Sequence, residues 1–288
     1  MDKPVRIRLP FGVDNNSRLL TKPIDLQSMG DSLPENVYSY IAQGKDKAIL
    51  IDTGFGLGPY KRFVEERLND KPYELILTHG HLDHVGGAAD FDKVYMNERD
   101  LPIAQKHTSR KMRKQFLEGP GRTVNEEDLC DEKSDGYLPL NDGDEFDLGD
   151  EKLIIVDLSG HTPGSVGVLF EKERLLLAGD ACCSFTLLFG NGESLCISEY
   201  HDNLIRALKN YGDRFDDMIY SHPHNYGGKE VMNEMIELCD EILQGKDDHI
   251  EGPGLFDAVT YIAKKTNEKG RRLDGKIANL QYTQDCLK

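Results

Sequence analysis

No apolar run in the 288-residue chain approaches the roughly 18 residues that a membrane-spanning helix requires, so no membrane partner is expected. The opening residues, MDKPVRIRLP, place charges and a proline where an export signal would carry its apolar stretch. The expectation is a cytoplasmic protein. Paired CxxC motifs are missing. Six cysteines stand at 130, 182, 183, 196, 239 and 286, and the neighbours Cys182 and Cys183 read as buried apolar filler with reduced thiols. Positive charge is scarce: Lys and Arg number 35 against 51 Asp and Glu, a formal net charge of −16. Such a surface repels phosphate backbones, which argues against a nucleic-acid partner and leaves a small molecule as the expected one. No fixed-period repeat, low-complexity segment or Ser-His-Asp constellation is found. What remains, 38% hydrophobic and 30% charged, is the balance of an ordinary globular protein with chain enough for a sizeable core, and nothing in it fixes an oligomeric state.

Strand and helix signals alternate along the chain. Residues 37–52 carry two β-rich runs around Gly44-Lys45-Asp46-Lys47, a hairpin pattern, and the second run ends in Asp52-Thr53-Gly54. A helix is predicted over 59–69, followed by a buried strand, Leu75-Ile76-Leu77, that delivers Thr78-His79. Further strands are predicted at 93–96, 152–158, 166–170, 174–178 and 218–220, and helices at 98–116, 199–211 and 229–244. The stretch 116–137 reads as an irregular insertion. Beyond Gly254 the tail predicts one more helix and then an edge strand in ANLQYTQ. The pattern is α/β, sheet covered by helices, with polar residues gathered at strand ends.

Three of the nine histidines fall within six residues, His79-Gly80-His81-Leu82-Asp83-His84. Clustered imidazoles without a metal would repel when protonated and gain little when neutral. In an extended segment leaving a strand, residues 79, 81 and 83 point to one side, and His84 joins Asp83 if the chain turns there into a helix. Two metal sites on one short loop is the economical reading. Two ions need further donors, and His161, Asp180 and His222 each follow an apolar run at a strand exit. His224, two residues beyond His222, is the alternative for the last of these.

The strings IDTG, THGHLDHVGG, SGHTPGS, AGDAC and IYSHPH, in this order, resemble the motifs of the metallo-β-lactamase-fold hydrolase superfamily, with its glyoxalase II-like and lactonase-like branches unresolved. The resemblance implies a four-layer αββα sandwich. It implies one domain over 1–288, with an insertion at about 98–137 and an extension at about 245–288. His79, His81 and His161 would hold one divalent ion, Asp83, His84 and His222 a second, and Asp180 would bridge them. Zinc is the first choice, with iron or manganese acceptable to the same ligands. Asp52 would orient an imidazole or the Asp83 loop. His107, His201 and His249 match no motif and are read as surface or structural residues.

A dinuclear site of this kind activates water, which points to a hydrolase acting on an ester, thioester or lactone, with Asp83 as the group that orients and deprotonates the nucleophile. An iron-dependent persulfide dioxygenase and a non-catalytic metal-binding or sensing protein are the rival readings. A local excess of positive charge in 105–122 suggests a helical cover in which Arg110, Arg113 and Lys114 draw in a small anionic substrate.

Overall fold

A computed structural model describes the backbone of residues 18–23 and the whole of residues 37–119, 123–222, 226–253 and 258–287. These residues divide into two compact units, one ending at Leu153 and the other beginning at Ile154. In the first unit, β1 (Arg18–Pro23), β2 (Tyr38–Gln43) and β3 (Ala48–Ile51) form an antiparallel meander. The turn between β2 and β3 is closed by Gly44 N–H donating to the Lys47 carbonyl at 3.0 Å. After α1 (Tyr60–Leu68), the chain returns to lay β4 (Tyr73–Ile76) parallel to β3. The one-turn helix α2 (Leu82–Val85) precedes β5 (Val94–Met96), and α3 (Leu101–His107) and α4 (Arg110–Leu117) precede β6 (Tyr137–Pro139); both strands extend the parallel half of the sheet. A short strand, β7 (Glu145–Asp147), follows.

The helices form because their apolar positions recur at helical spacing and find a core to fill. Tyr60, Val64 and Leu68 lie four apart on α1 and pack with Leu50, Leu75, Leu77 and Val94. Asn69, in the left-handed conformation at φ 49°, ends the helix. Where one helix was predicted over 98–116, there are a 3₁₀ turn at Glu98–Asp100 and two helices with a break at Thr108-Ser109. Thr108 keeps its carbonyl out of the helical ladder and gives it to the Arg113 side chain.

The second unit begins within β8 (Lys152–Asp157), and β9 (Val166–Phe170) and β10 (Leu175–Leu177) come next. Then follow β11 (Phe185–Leu188), α5 (Ile197–Tyr211), β12 (Asp217–Ile219), β13 (Tyr226–Gly228) and α6 (Glu230–Leu243). The strand order is β13-β12-β10-β9-β8, with β10 parallel to β12 and antiparallel to β9. Helices α5 and α6 cover one face: Ile197, Tyr200, Leu204 and Ala207 from the first, and Val231, Met235, Leu238 and Ile242 from the second, pack with Ile154, Val156, Leu169 and Met218. Cys182, buried among them, serves as apolar filler.

The tail departs from expectation. The strand expected in ANLQYTQ is present as the last of three, but in place of the helix the described residues beyond Gln244 form β14 (Ile250–Glu251) and β15 (Thr260–Ile262) before β16 (Asn279–Thr283), and a 3₁₀ turn follows. β16 lies between β11 and β15 in a separate sheet, parallel to the first and antiparallel to the second, with all five residues buried. A strand paired on both edges needs no charged residue to guard it, which is why NLQYT carries none.

Candidate metal centre

Because β3, β4 and β5 run parallel, their carboxyl ends share one edge of the first sheet, the edge at which α/β folds build their sites. Asp52 leaves β3 there, Thr78-His79 leaves β4, and Asn97 to Asp100 leave β5. Asp52 is fully buried at φ 62°, a conformation that a carboxamide or carboxylate side chain tolerates. Its Oδ1 accepts from Thr78 N–H at 2.8 Å, and its Oδ2 accepts from the Thr78 hydroxyl at 2.8 Å. The same Oδ2 stands 2.8 Å from His84 Nδ1.

A carboxylate only accepts, so it fixes two imidazoles at once. His84 must donate from Nδ1, which turns the lone pair of Nε2 outward. The Thr78 hydroxyl, having spent its proton on Asp52, accepts from His79 Nδ1 at 3.0 Å, and His79 therefore also presents a lone pair at Nε2. That atom faces His81 Nδ1 at 3.1 Å, and His84 Nε2 lies 3.6 Å from Asp83 Oδ2. Two donors each about 2.1 Å from one tetrahedral ion stand roughly 3.4 Å apart, so both pairs are spaced as ligands of a shared cation.

The chain turns sooner than its alternation suggests. His81 is the last extended residue, and its carbonyl accepts from His84 N–H, so Asp83 already belongs to the helical turn with His84 instead of continuing the line of 79 and 81. Gly80 donates to the fully buried Asp100 carboxylate at 2.7 Å; a Cβ here would sit 2.9 Å from the Asp100 carbonyl. Asp100 and Thr78 support this loop without having been assigned a role from the motifs, and His107, read as surface or structural, is structural. His107 is buried, with its ring 5.3 Å from that of His81 and stacked on it. The one advance signal is the Asp-Leu-Pro start of α3, which lies inside the helix predicted over 98–116.

In the second unit, His161, Asp180 and His222 follow β8, β10 and β12. The carbonyl of Leu187, 2.7 Å from His161 Nδ1, makes that nitrogen the donor and leaves the ring's lone pair at Nε2. The turn is held by Ser194, whose hydroxyl donates to the His161 carbonyl, and by Leu195 N–H on the Gly160 carbonyl. Asp180 Oδ2 lies 2.9 Å from His222 Nε2 and 3.9 Å from His161 Nε2, so one carboxylate oxygen serves two imidazoles, as a shared ligand would. His224 falls outside the described residues. His201 stands between Asp202 and Asp240, and His249 stacks on Tyr261.

The expected substrate cations are placed otherwise. Arg113 is completely buried and cannot meet a ligand from solution; its guanidinium donates to the carbonyls of Phe55, Gly86, Thr108, Cys130 and Asp131. Arg110 bonds the Leu129 and Cys130 carbonyls and pairs with Asp131, and Lys114 lies 3.5 Å from Glu126. Arg110 and Lys114 are thus each paired with an acid from residues 126–132.

A profile described as the metallo-beta-lactamase superfamily matches residues 33–192, more than half of the chain. Among curated proteins, the chain is 22% identical to the acyl-coenzyme A thioesterase MBLAC2 of Homo sapiens, over 52% of this chain and 59% of that one. It is 28% identical to a hydroxyacylglutathione hydrolase of Francisella tularensis, over 61% of this chain and 59% of the relative. The matches thus span under two thirds of these relatives' own length. Among solved structures, a metallo-beta-lactamase from Pontibacter korlensis shares the fold at a TM-score of 0.55 and 16% identity, covering 80% of this chain and 97% of that one. The FIM-1 enzyme of Pseudomonas aeruginosa does so at 0.54 and 16%, covering 80% and 94%. No helix among the described residues is long and apolar enough to cross a membrane.

Proposed function

Because the chain belongs to the metallo-beta-lactamase superfamily, whose mixed α/β fold it shares, we propose that it is a metal-dependent hydrolase that cleaves a thioester, ester or lactone of a small molecule. The observation that carries this reading is Asp52, a buried carboxylate that fixes the tautomers of two imidazoles on one loop so that both keep their lone pair at Nε2. Orienting partners of this kind accompany metal-ligating histidines. We assign His79, His81 and His161 to one ion, Asp83, His84 and His222 to a second, and Asp180 to both. Thioesters come first because one relative is by name an acyl-coenzyme A thioesterase and another a hydroxyacylglutathione hydrolase.

Two divalent ions held by these donors, zinc before iron or manganese, would supply Lewis acidity toward an acyl carbonyl and make water acidic near neutral pH. The chain's own part is positional. Asp83, with its side chain partly open to solvent, offers a carboxylate that orients the attacking water, accepts its proton and returns it to the departing thiolate or alkoxide. His79 and His84, locked through Asp52, keep their ring planes during turnover. Thr78 ties the end of β4 to Asp52 by two hydrogen bonds, so the loop enters the site at a fixed angle.

The test is metal analysis of protein purified without added metal, followed by a panel of thioesters, esters, lactones and phosphodiesters. Two zinc ions per chain and turnover of a thioester are expected. One iron with oxygen uptake would establish the dioxygenase instead, and full loading without turnover of any substrate would leave a binding or sensing protein.

A further inference from the structure

The pairing between Asp52 and His84 depends on two strings of backbone that are laced together. Thr53 gives both its N–H and its hydroxyl to the His84 carbonyl at 2.8 Å, Gly86 N–H donates to the Gly54 carbonyl at 2.9 Å, and Gly87 N–H donates to the Thr53 hydroxyl at 3.0 Å. The strings approach so closely that a Cβ on Gly86 would lie 2.2 Å from the Phe55 carbonyl carbon. Two carbonyls at the far end of this lacing, those of Phe55 and Gly86, point away from it and converge on one atom. Arg113 Nη1 donates to both, at 3.1 and 2.9 Å. Its Nε reaches the Thr108 carbonyl at 3.0 Å, and its Nη2 reaches those of Cys130 and Asp131 at 2.7 and 3.4 Å.

We propose that Arg113 is a positioning residue of the metal centre: its guanidinium clamps the Asp52 loop to the end of the His-Leu-Asp-His helix and so sets the angle at which His84 and Asp83 meet their ion. The inference rests on the metal reading above. A planar guanidinium has the fork to hold carbonyls in fixed relative position, whereas a lysine ammonium in the same place is a point charge on a shorter reach. Carbonyls left without a donor in a buried site are costly, so the clamp holds the two strings in one arrangement. Gly86 is two residues from His84 and Phe55 three from Asp52, which makes Arg113 a neighbour of the ligand's support and not of the ligand.

Arg110 supplies the control. It lies on the same helix and bonds the same neighbouring segment, through the Leu129 and Cys130 carbonyls, but its bonds do not include Phe55 or Gly86. In the full-length chain, Arg113→Lys, Arg113→Gln and Arg110→Ala are compared for zinc affinity by chelator competition and for the visible absorption of the cobalt-loaded form. Folding is checked by circular dichroism. The expected result is a loss of about tenfold or more in zinc affinity and a shifted cobalt band in the Arg113 variants, as for other residues that support metal ligands, with neither change in Arg110→Ala.

Arg113→Lys that folds, binds zinc as the parent does and keeps its cobalt spectrum overturns the proposal. So does Arg110→Ala losing as much as Arg113→Lys, since the arginines would then only secure the segment around Cys130. If the unaltered chain takes up neither zinc nor cobalt, the metal reading itself falls and takes this inference with it. Should both Arg113 variants fail to fold, hydrogen exchange on the unaltered chain decides. Coupling is reciprocal, so zinc must slow exchange at residues 110–114 as well as at 53–56 and 82–87, and unchanged exchange in the first segment overturns the clamp.

Discussion

At the scale of single residues, the candidate loop was legible because its chemistry is written contiguously: no common structural need places three histidines and an aspartate in six positions. Asp52 was legible through its motif. Asp52→Asn tests its role cleanly, since asparagine tolerates the positive φ and keeps the volume. The carboxamide cannot accept on both sides, so His84 or Thr78 loses its partner. Zinc affinity should fall by about 10- to 100-fold with the far-ultraviolet spectrum unchanged; parental affinity in chelator competition would remove Asp52 from the centre. Asp100, His107 and Arg113 were not legible, because each acts on a segment that only folding brings near. Cys130 shows what such placement does to a titrating group. Burial, helped by a 3.0 Å hydrogen bond to Asp90, pushes its thiol from 9.0 up to about 12. The folded chain therefore holds this proton where the unfolded chain releases it. The resulting contribution to stability is present below pH 9 and is lost as pH rises from about 9 to about 12. Iodoacetamide at pH 8.5 should label Cys130 far more slowly in the native chain than in urea, and equal rates would contradict the assignment.

At the scale of elements, boundaries followed hydrophobic period wherever a helix had its own face of core to fill. Helix α5 is the plainest instance: Tyr200, Leu204, Ala207 and Tyr211 recur at three and four, and the start is a capping box in which the Cys196 side chain accepts from the backbone of Glu199 while Glu199 reaches back to Cys196 N–H. Leu204 is fully buried in the core of the second unit. Leu204→Ala should cost about 2–5 kcal/mol in urea unfolding, and a cost below about 1 kcal/mol would mean that the cavity collapses. The period misled at 98–116, where α3 and α4 share an amphipathic pattern across a break. That break exists because Thr108 turns its carbonyl to a side chain five residues later, a choice that propensity does not encode. It misled again in the tail, where Asn279, Leu280, Gln281, Tyr282 and Thr283 alternate like a strand with one wet face yet are buried on both. There the polar members are paired internally: Asn279 with the Lys264 backbone, and Gln281 with Thr260 and the Pro253 carbonyl.

For the molecule as a whole, the decisive feature is that the proposed donors are divided between the unit ending at Leu153 and the unit beginning at Ile154. His79, His81, Asp83 and His84 belong to the first; His161, Asp180 and His222 belong to the second. Sequence order already hinted at this, since strand exits far apart in the chain carried the remaining proposed donors. If both sets serve the same ions, metal stabilises the two units jointly. A ligand that binds only the native state at a hundredfold excess over its dissociation constant adds about 2.7 kcal/mol, which for a chain of this size raises the melting temperature by roughly 4–5 °C. Substitution on either side should remove half or more of that increment: Asp52→Asn through the first set, and Asp180→Asn through the second. The metal-free melting temperatures of the two variants serve as their own baselines, so a structural cost of either substitution does not enter the comparison. An increment that survives Asp180→Asn but vanishes in Asp52→Asn would mean that zinc is held by the first unit alone, and the assignment of shared ions would have to be given up.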